Sequence, residues 1–419
     1  VGGVALEVQE GGVEPREPVG SCHALILPHA RRVWQGRLAF RSMAVPGEPY
    51  DDPIKPFYAD LAATLPGGAA WFDVHTHVGS NDPDGFRCTA DEVVACLDRA
   101  GHAQALVFPM QEPDGYPAAN DRVLADAEAS AGRLRALCRL DPHADPMPEA
   151  RRCLAAGAVG VKLHPRAERF QLSEPAVEEI VALAGERRLP VMVHAGRGIP
   201  ALGRDAVALA RRHPDARIVL AHAGISDLSW IWAEARVLPN LFFDTSWWNV
   251  ADLTALFATV APGQILYGSD IPYGSGIWSG LIALRLAASV GLTPEVTAEI
   301  VGGQLRRLLA GEDPADLGPP PGPPDRPPWL AAARALTHLE GAISRTFGGT
   351  DPSEPLALAR LACEVPVDDP QEPLLRAVRS LTERAEAAVA ADAGRAAAAF
   401  PTLAASLLAG TPGVGVPAV

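Results

Sequence analysis

The feature that most constrains the fold of this chain is a repeated alternation between short apolar runs and helical segments. From residue 71 onward, runs rich in β-branched and aromatic residues are each followed by a stretch with apolar residues at three- and four-residue steps. The eight runs are 71–78, 103–109, 134–141, 158–164, 189–195, 217–223, 241–246 and 264–270. Such alternation is typical of a parallel sheet with helices outside it. Eight units of this kind predict an α/β protein with a (β/α)8, or TIM, barrel.

The sequence divides into four regions. Residues 1–50 show no clear period and are treated as a poorly determined N-terminal arm. Residues 51–311 are expected to contain the barrel. Residues 312–328, "EDPADLGPPPGPPDRPP", are too rich in proline for a regular helix and predict an extended linker. Residues 329–419 are rich in Ala and Leu at helical spacing, so we expect a separable helical appendage there.

Charge and cysteine usage limit the partners of the protein. Acidic residues outnumber basic ones by 50 to 36, the net charge is −14, and no run of Lys and Arg appears. This balance disfavours nucleic acid and favours a small-molecule substrate. The six cysteines are scattered, the N-terminal residues do not resemble a signal peptide, and no stretch approaches the length of a membrane helix. We therefore expect a cytoplasmic protein without a membrane partner, and we leave a homo-oligomer open.

Polar residues end most of the eight runs, which is where a barrel of this kind places its chemistry. They are Asp73, His75, His77, Lys162, His164, His194, His222, Asp244 and Asp270. His75 and His77 lie two residues apart on one strand and therefore share a face. Imidazoles combined with a carboxylate suit a borderline divalent metal ion. The expected ligands are His75, His77, His194 and Asp270.

The motifs around these residues carry a family resemblance. They are "DVHTH", "GVKLHP", "VMVHAG", "VLAHAG" and "YGSDIPYG". In this order and spacing they resemble the amidohydrolase superfamily, in particular the amidohydrolase-related group that includes decarboxylases similar to aminocarboxymuconate-semialdehyde decarboxylase. The resemblance covers about residues 71–310. One departure is "GGQLRRLL" from Gly302, where the family often has a Gly-Asn-Ala signature.

The resemblance implies a metal-dependent barrel with the same four ligands and a catalytic role for His222 beside them. We expect one zinc ion, with manganese or iron as alternatives. Two roles are open for Lys162: a cation that steadies a substrate or an acidic residue, which we favour, or a carboxylated bridge between two metal ions. His164 is expected beside the ligands, with a second metal as the alternative.

Three functions are compatible with these residues. The first is hydrolysis of an amide, ester or lactone, in which Asp270 takes a proton from the attacking water and His222 orients the carbonyl group. The second is decarboxylation of a small aromatic or unsaturated acid at the same metal site. The third is a catalytically silent barrel that serves as a scaffold, against which the intact ligand set argues.

Residues just beyond the runs are candidates for substrate binding. The aromatic ones are Trp247, Trp248, Tyr273 and Trp278, which either wall a ring-bearing substrate or pack the loops. Arg166 and Arg197 follow the fourth and fifth runs, where an arginine either binds a carboxylate or faces solvent.

Overall fold

A computed structural model describes residues 51–83, 85–196, 199–225, 228–324 and 329–417. Nine strand segments follow the eight predicted runs. They are β1 (Phe72–Val78), β2 (Gln104–Pro109), β3 (Leu134–Ala136), β4 (Cys138–Arg139), β5 (Val161–Leu163), β6 (Pro190–Val193), β7 (Arg217–Leu220), β8 (Leu241–Asp244) and β9 (Ile265–Leu266). Segments β3 and β4 are the two halves of the third run, which is interrupted at Leu137.

The strands form a closed parallel barrel. Segments β1 to β3 pair in order, and so do segments β4 to β9. The two ladders join at Leu137, whose N–H donates to Val107 O at 2.9 Å. At the other side, Val74 N donates to Tyr267 O at 2.9 Å, and Thr76 forms a parallel bridge with Ile271. The sheet thus closes on itself, and the predicted TIM barrel is confirmed.

Helices alternate with the strands. Those of the barrel region are α1 (Lys55–Ala62), α2 (Ala90–Ala100), α3 (Pro117–Ala129), α4 (Pro146–Ala155), α5 (Pro165–Glu168), α6 (Pro175–Glu186), α7 (Leu202–Arg212), α8 (Leu228–Ala235), α9 (Val250–Thr259), α10 (Gly276–Ser289), α11 (Pro294–Ala298) and α12 (Gln304–Leu309). Helix α2 begins with a capping box, in which Thr89 and Glu92 each accept a hydrogen bond from the backbone N–H of the other.

An apolar layer fills the interior of the barrel beneath the predicted site. Its members include Phe72, Val74, Leu106, Phe108, Met192, Val219, Phe242 and Leu266. The ring of Phe108 lies 5.2 Å from that of His75 and 4.5 Å from that of His77. This apolar layer therefore lies directly beneath the predicted ligands and limits the access of water to them from the barrel interior.

The C-terminal region is helical, as predicted, and it packs against the barrel. Helices α13 (Leu330–Gly348), α14 (Ser353–Ala362), α15 (Glu372–Ala390) and α16 (Arg395–Gly410) pack on one another. The described residues of the barrel and of the C-terminal region belong to one compact unit, and one apolar cluster contains side chains of both. A separable appendage would not need this shared packing, and the deletion described in the Discussion tests whether the two parts are independent.

A buried arginine of the barrel holds the C-terminal end. The side chain of Arg285, on α10, is 1 % exposed. It donates to Thr411 Oγ1 at 2.7 Å, to Val414 O at 2.8 Å and to Gly415 O at 2.9 Å. These acceptors satisfy a guanidinium group whose burial would otherwise be costly.

The proline-rich linker lies along the barrel. Ala315 N donates to Gln304 Oε1 at 3.0 Å, and Gly322 N donates to Ala258 O at 2.9 Å. Residues 312–324 contain no regular helix. Residues 1–50 and 325–328 lie outside the described residues. Within the described ranges, no helix is both long and apolar enough to cross a membrane.

Candidate metal centre

An irregularity in β1 aims the two histidines of the first strand. The pairing of β1 with β2 shifts register between Asp73 and Thr76. Oδ1 of Asp73 accepts hydrogen bonds from His75 N and Ser269 N, each at 3.0 Å. A bulge changes the face to which the following side chains point and often lies beside an active site. Asp73 therefore helps to position His75.

Three predicted ligands lie together at the mouth of the barrel. The Nε2 atoms of His75 and His77 are 3.1 Å apart. Oδ1 of Asp270 lies 3.1 Å from Nε2 of His77 and 3.3 Å from Nε2 of His75. The three distances form a triangle that matches ligands of one shared ion. At bond lengths of about 2.0 to 2.2 Å, such ligand atoms lie about 3.0 to 3.5 Å apart.

The tautomer of His75 supports the same interpretation. Its Nδ1 lies 2.7 Å from Oδ2 of Asp244, so Nδ1 carries the proton and donates it to the carboxylate. Nε2 of His75 then carries a lone pair, which faces Nε2 of His77 and Oδ1 of Asp270. These atoms repel one another unless a proton or a cation lies between them.

Burial disfavours a proton on either histidine ring. It lowers the pKa values of His75 and His77 well below the ordinary value, and proximity of the two rings lowers that of His77 further. Burial also raises the pKa of Asp270 well above the ordinary value. Each shift reflects the cost of a buried charge without a compensating partner. A divalent ion would compensate the carboxylate and occupy the lone pairs, so these residues fit a metal ion.

Asp244 connects the two sides of the site. Its Oδ2 accepts from His75, while its Oδ1 accepts from His222 N at 2.8 Å, from Ser246 N at 3.0 Å and from Ser246 Oγ at 2.5 Å. His75, His222 and Asp244 also have ligand atoms close enough to hold an ion. Because both oxygens of Asp244 already accept hydrogen bonds, we interpret Asp244 as a residue that positions the two histidines.

His194 and His222 form a second pair of facing rings. Nε2 of His222 lies 3.0 Å from Nδ1 of His194, and Nδ1 of His222 donates to Ser246 O at 2.6 Å. In the described part of the chain, His75, His77 and Asp270 form a group whose ligand atoms all lie within 4.8 Å of one another, and His194 is in no such group. Three of the four predicted ligands are therefore brought together, and a ligand role for His194 stays a prediction.

Two of the functional residues have a left-handed backbone. The φ angle is 55° at His222 and 62° at Asp270. Hydrogen bonds hold both residues, because His222 N donates to Asp244 and Asp270 N donates to His75 O at 2.9 Å. Such conformations are uncommon outside glycine and cluster at functional sites.

Lys162 lies on the floor of the site, against the ring of Phe108. Its side chain is fully buried, and its Nζ lies 4.5 Å from the centre of the Phe108 ring. No described residue forms a hydrogen bond with this Nζ. Burial lowers the pKa of Lys162 to about 7. The amine therefore gains or loses its charge readily near neutral pH, as a lysine that meets an anionic ligand can do.

A buried ion pair that the sequence did not predict lies next to Lys162. Arg139 is the register partner of Lys162 on the neighbouring strand. Its Nη2 lies 2.7 Å from Oε1 of Glu168, and Tyr116 OH donates to the same oxygen. The sequence signal was a charged residue inside the third run, which we interpreted only as an apolar strand.

The remaining candidates are divided between the site and the core. The ring of Tyr273 lies 5.2 Å from that of His77, and its hydroxyl donates to Asp82 Oδ2 at 2.6 Å. Trp247 lies 6.2 Å from His222, measured between ring centres, and 5.2 Å from Trp248. Trp278 is buried in the core, which favours packing over a place in the wall of the pocket.

The candidates of the fourth and fifth runs differ in position. The ring of His164 stacks on that of His194 at 3.9 Å, and its Nδ1 accepts a hydrogen bond from Ala167 N at 3.1 Å. His164 thus packs against His194, and its role beside the ligands stays a prediction. Arg166 is exposed. Arg197 lies outside the described residues.

A parallel (β/α)8 barrel with a histidine and aspartate cluster at its strand ends defines a class of metal-dependent barrel enzymes. The comparison with known families identifies the family within this class. Residues 72–310 match the family described as amidohydrolase. This match spans more than half of the chain, so the protein belongs to the amidohydrolase family, and the resemblance found in the sequence is confirmed. No curated protein matches the sequence.

Several solved structures resemble the barrel. One is a putative amidohydrolase from Staphylococcus aureus, at 16 % identity and a TM-score of 0.49, which covers 57 % of this chain and 99 % of its own. Another is 5-carboxyvanillate decarboxylase from Sphingomonas paucimobilis, at 14 % identity and a TM-score of 0.46, with 58 % and 99 % covered. A third is 2,6-dihydroxybenzoate decarboxylase from Rhizobium, at 14 % and 0.46, with 57 % and 98 % covered.

Proposed function

We propose that the protein is a metal-dependent hydrolase that acts on an amide, ester or lactone bond of a small organic molecule. The observation that carries this proposal is the triangle of His75, His77 and Asp270 with a further histidine beside it. Nδ1 of His222 lies 4.0 Å from Oδ2 of Asp270. A divalent ion held by the triangle would lower the pKa of water and polarise a carbonyl group.

Asp270 and His222 supply the proton chemistry. Asp270 accepts the proton of the attacking water, since one carboxylate oxygen faces the ligand triangle and the other faces His222. Nδ1 of His222 donates to Ser246 O, so its Nε2 is the atom that exchanges a proton. Burial lowers the pKa of His222, whereas Asp244 favours the protonated form that would donate to a developing oxyanion.

A second candidate is decarboxylation of a small aromatic or unsaturated acid. The observation that favours it is the pair of buried cationic side chains, Arg139 and Lys162, which occupy register positions on adjacent strands beside the site. Glu168 compensates Arg139, whereas Lys162 has no described hydrogen-bond partner. A substrate carboxylate would supply a hydrogen-bond acceptor for Nζ of Lys162.

The test is an assay of the protein loaded with zinc or manganese. Its substrates are simple amides, esters and lactones on one side and hydroxylated aromatic acids on the other. Hydrolysis without release of CO₂ supports the first proposal, and release of CO₂ from an acid supports the second. The Asp270→Asn variant is the control, because its turnover should be lost in either case. A protein that binds metal but converts neither group of compounds would be a silent barrel.

Three further expectations remain proposals. Zinc is the ion that nitrogen and oxygen ligands of this kind most often hold, with manganese or iron as alternatives. The cytoplasmic location is supported by five cysteines that are free and buried in the described residues. A small-molecule substrate is expected, and a homo-oligomer is left open.

A further inference from the structure

A row of aromatic rings leads from His222 to the C-terminal helical region. The ring of Trp247 lies 6.2 Å from that of His222, and the ring of Trp248 lies 5.2 Å from that of Trp247. The ring of Phe347 lies 4.9 Å from Trp248, with an interplanar angle of 31°. Phe347 belongs to α13, which lies beyond the residues that match the amidohydrolase family.

The exposure of these rings increases along the row. His222 is buried, the two tryptophans are partly buried, and the side chain of Phe347 is 50 % exposed. The row therefore runs outward from the catalytic histidine to the surface. The exposed half of the Phe347 ring is therefore accessible to the ring of a ligand that extends outward along the row.

Contacts fix the inner part of the row. Nε1 of Trp247 donates to Oδ2 of Asp252 at 2.8 Å, on the first turn of α9. Both tryptophans also pack against the main apolar core. Rings held in this way present a fixed face, so little side-chain entropy is lost when another ring stacks on them.

We propose that Phe347 and Trp248 form an outer aromatic subsite of the barrel pocket, and that Phe347 is a specificity-determining residue for substrates with a second ring. This proposal rests on the proposed function only in placing the substrate at the barrel mouth. The C-terminal region thereby contributes to recognition, although it holds none of the residues of the metal centre.

The test compares the binding of two unreactive acids to the metal-loaded full-length chain by titration calorimetry. Benzoate has one ring, and 4-benzyloxybenzoate carries a second ring on a flexible linker. The native protein should bind the two-ring acid more tightly. Phe347→Ala should weaken the binding of that acid by about 2- to 10-fold, the range expected for one lost aromatic pair, and leave benzoate unaffected.

Three variants separate recognition from folding. Phe347→Trp should retain the preference for two rings, whereas Phe347→Leu keeps apolar bulk and should lose most of the preference. Val367→Ala changes a side chain of the same region that is 91 % exposed, and it should alter neither affinity. Melting temperatures of all variants should stay close to that of the parent.

The inference is overturned if the native protein shows no preference for the two-ring acid or binds neither acid. It is also overturned if Phe347→Ala and Phe347→Leu keep the preference. The proposed function fails by a different measurement, the absence of turnover of single-ring amides, esters, lactones and acids by the metal-loaded protein.

Discussion

At the scale of single residues, the site depends on which groups donate hydrogen bonds and which groups accept them. Nδ1–H of His75 donates a hydrogen bond to Asp244, which leaves the lone pair of Nε2 beside His77 and Asp270. Metal-binding histidines are commonly oriented in this way by a carboxylate behind them. The predictions at this scale therefore separate ligands, orienting residues and catalytic residues by metal content and rate.

His75→Ala combined with His77→Ala should abolish stoichiometric metal, because two of the three converging donor atoms are removed. Elemental analysis of the purified protein is the measurement. A full equivalent of metal in the double variant would contradict the assignment. Lys162→Ala serves as the companion: it should keep the metal content of the parent, and a loss of one of two ions would instead identify a carboxylated bridge.

Asp244→Asn should weaken metal affinity by about 10- to 100-fold, because an amide is a poorer acceptor for His75 and no longer fixes its tautomer. Competition against a chelator of known affinity measures this. Asp98→Asn, at an exposed ion pair with Arg133, is the matched control and should leave affinity unchanged. Equal metal affinity in the two variants would show that Asp244 does not orient His75.

His222→Asn should lower kcat and kcat/KM together by about 10²- to 10⁴-fold, the usual cost of a lost proton-transfer group or oxyanion donor. Metal content should remain near that of the parent, since the ligand triangle does not include His222. Steady-state kinetics on an identified substrate and elemental analysis are both needed. Loss of the metal would make His222 a ligand, and unchanged turnover would make it structural.

At the scale of elements, the barrel depends on close contact between β1 and the segment that precedes α12. The segment before α12 contains Gly302, where the family often has a Gly-Asn-Ala signature. A Cβ atom at Gly302 would lie 2.2 Å from Ala70 O and 3.0 Å from Phe72 N, both on or just before β1. Although this segment differs from the family signature, it still packs closely against β1, the strand that carries His75 and His77.

Gly302→Ala should destabilise the protein by about 1 to 3 kcal/mol, because the added methyl group meets backbone atoms that cannot rotate away. Urea denaturation followed by circular dichroism measures the change in the free energy of unfolding. Gly67→Ala is the matched control, since a Cβ there meets nothing within 4 Å. Equal stability of both variants would show that the segment and β1 are less closely packed than described.

At the scale of the whole molecule, the barrel and the C-terminal helices share one apolar cluster. Arg285 donates to Thr411, Val414 and Gly415, and Trp278 packs edge-on against Phe400 with ring centres 6.4 Å apart. The C-terminal region thus covers a face of the barrel, and it also reaches the mouth through Phe347.

Removal of residues 312–419 should lower the melting temperature strongly or prevent soluble expression, because apolar surfaces of α9 and α10 and the side chain of Arg285 lose their cover. Thermal unfolding followed by circular dichroism is the measurement. Arg285→Ala in the full chain is the milder companion and should make the C-terminal end more sensitive to protease. A truncated barrel with native stability and metal content would support the interpretation of a separable appendage.

The sequence by itself determined the barrel and the location of its chemistry. Eight apolar runs with helical segments between them require a parallel sheet, and the strand ends of such a sheet meet on one side, which collects His75, His77 and Asp270. These are local patterns, because each strand shows its period within a few residues. The role of Asp244 and the pair of Arg139 and Glu168 were not predictable, since each depends on contacts between residues far apart in the chain.

Only the tertiary structure decided how the parts of the chain meet. The proline-rich linker looks like a boundary in the sequence, yet it lies along the barrel and the helices beyond it share the barrel core. Composition reveals the flexibility of an isolated segment but not the surface on which it packs. For the same reason the sequence could not decide that Trp278 lies in the core, or that Phe347 stacks on Trp248. Helical periodicity shows which face is apolar, whereas the partner of that face is set by packing across the whole molecule.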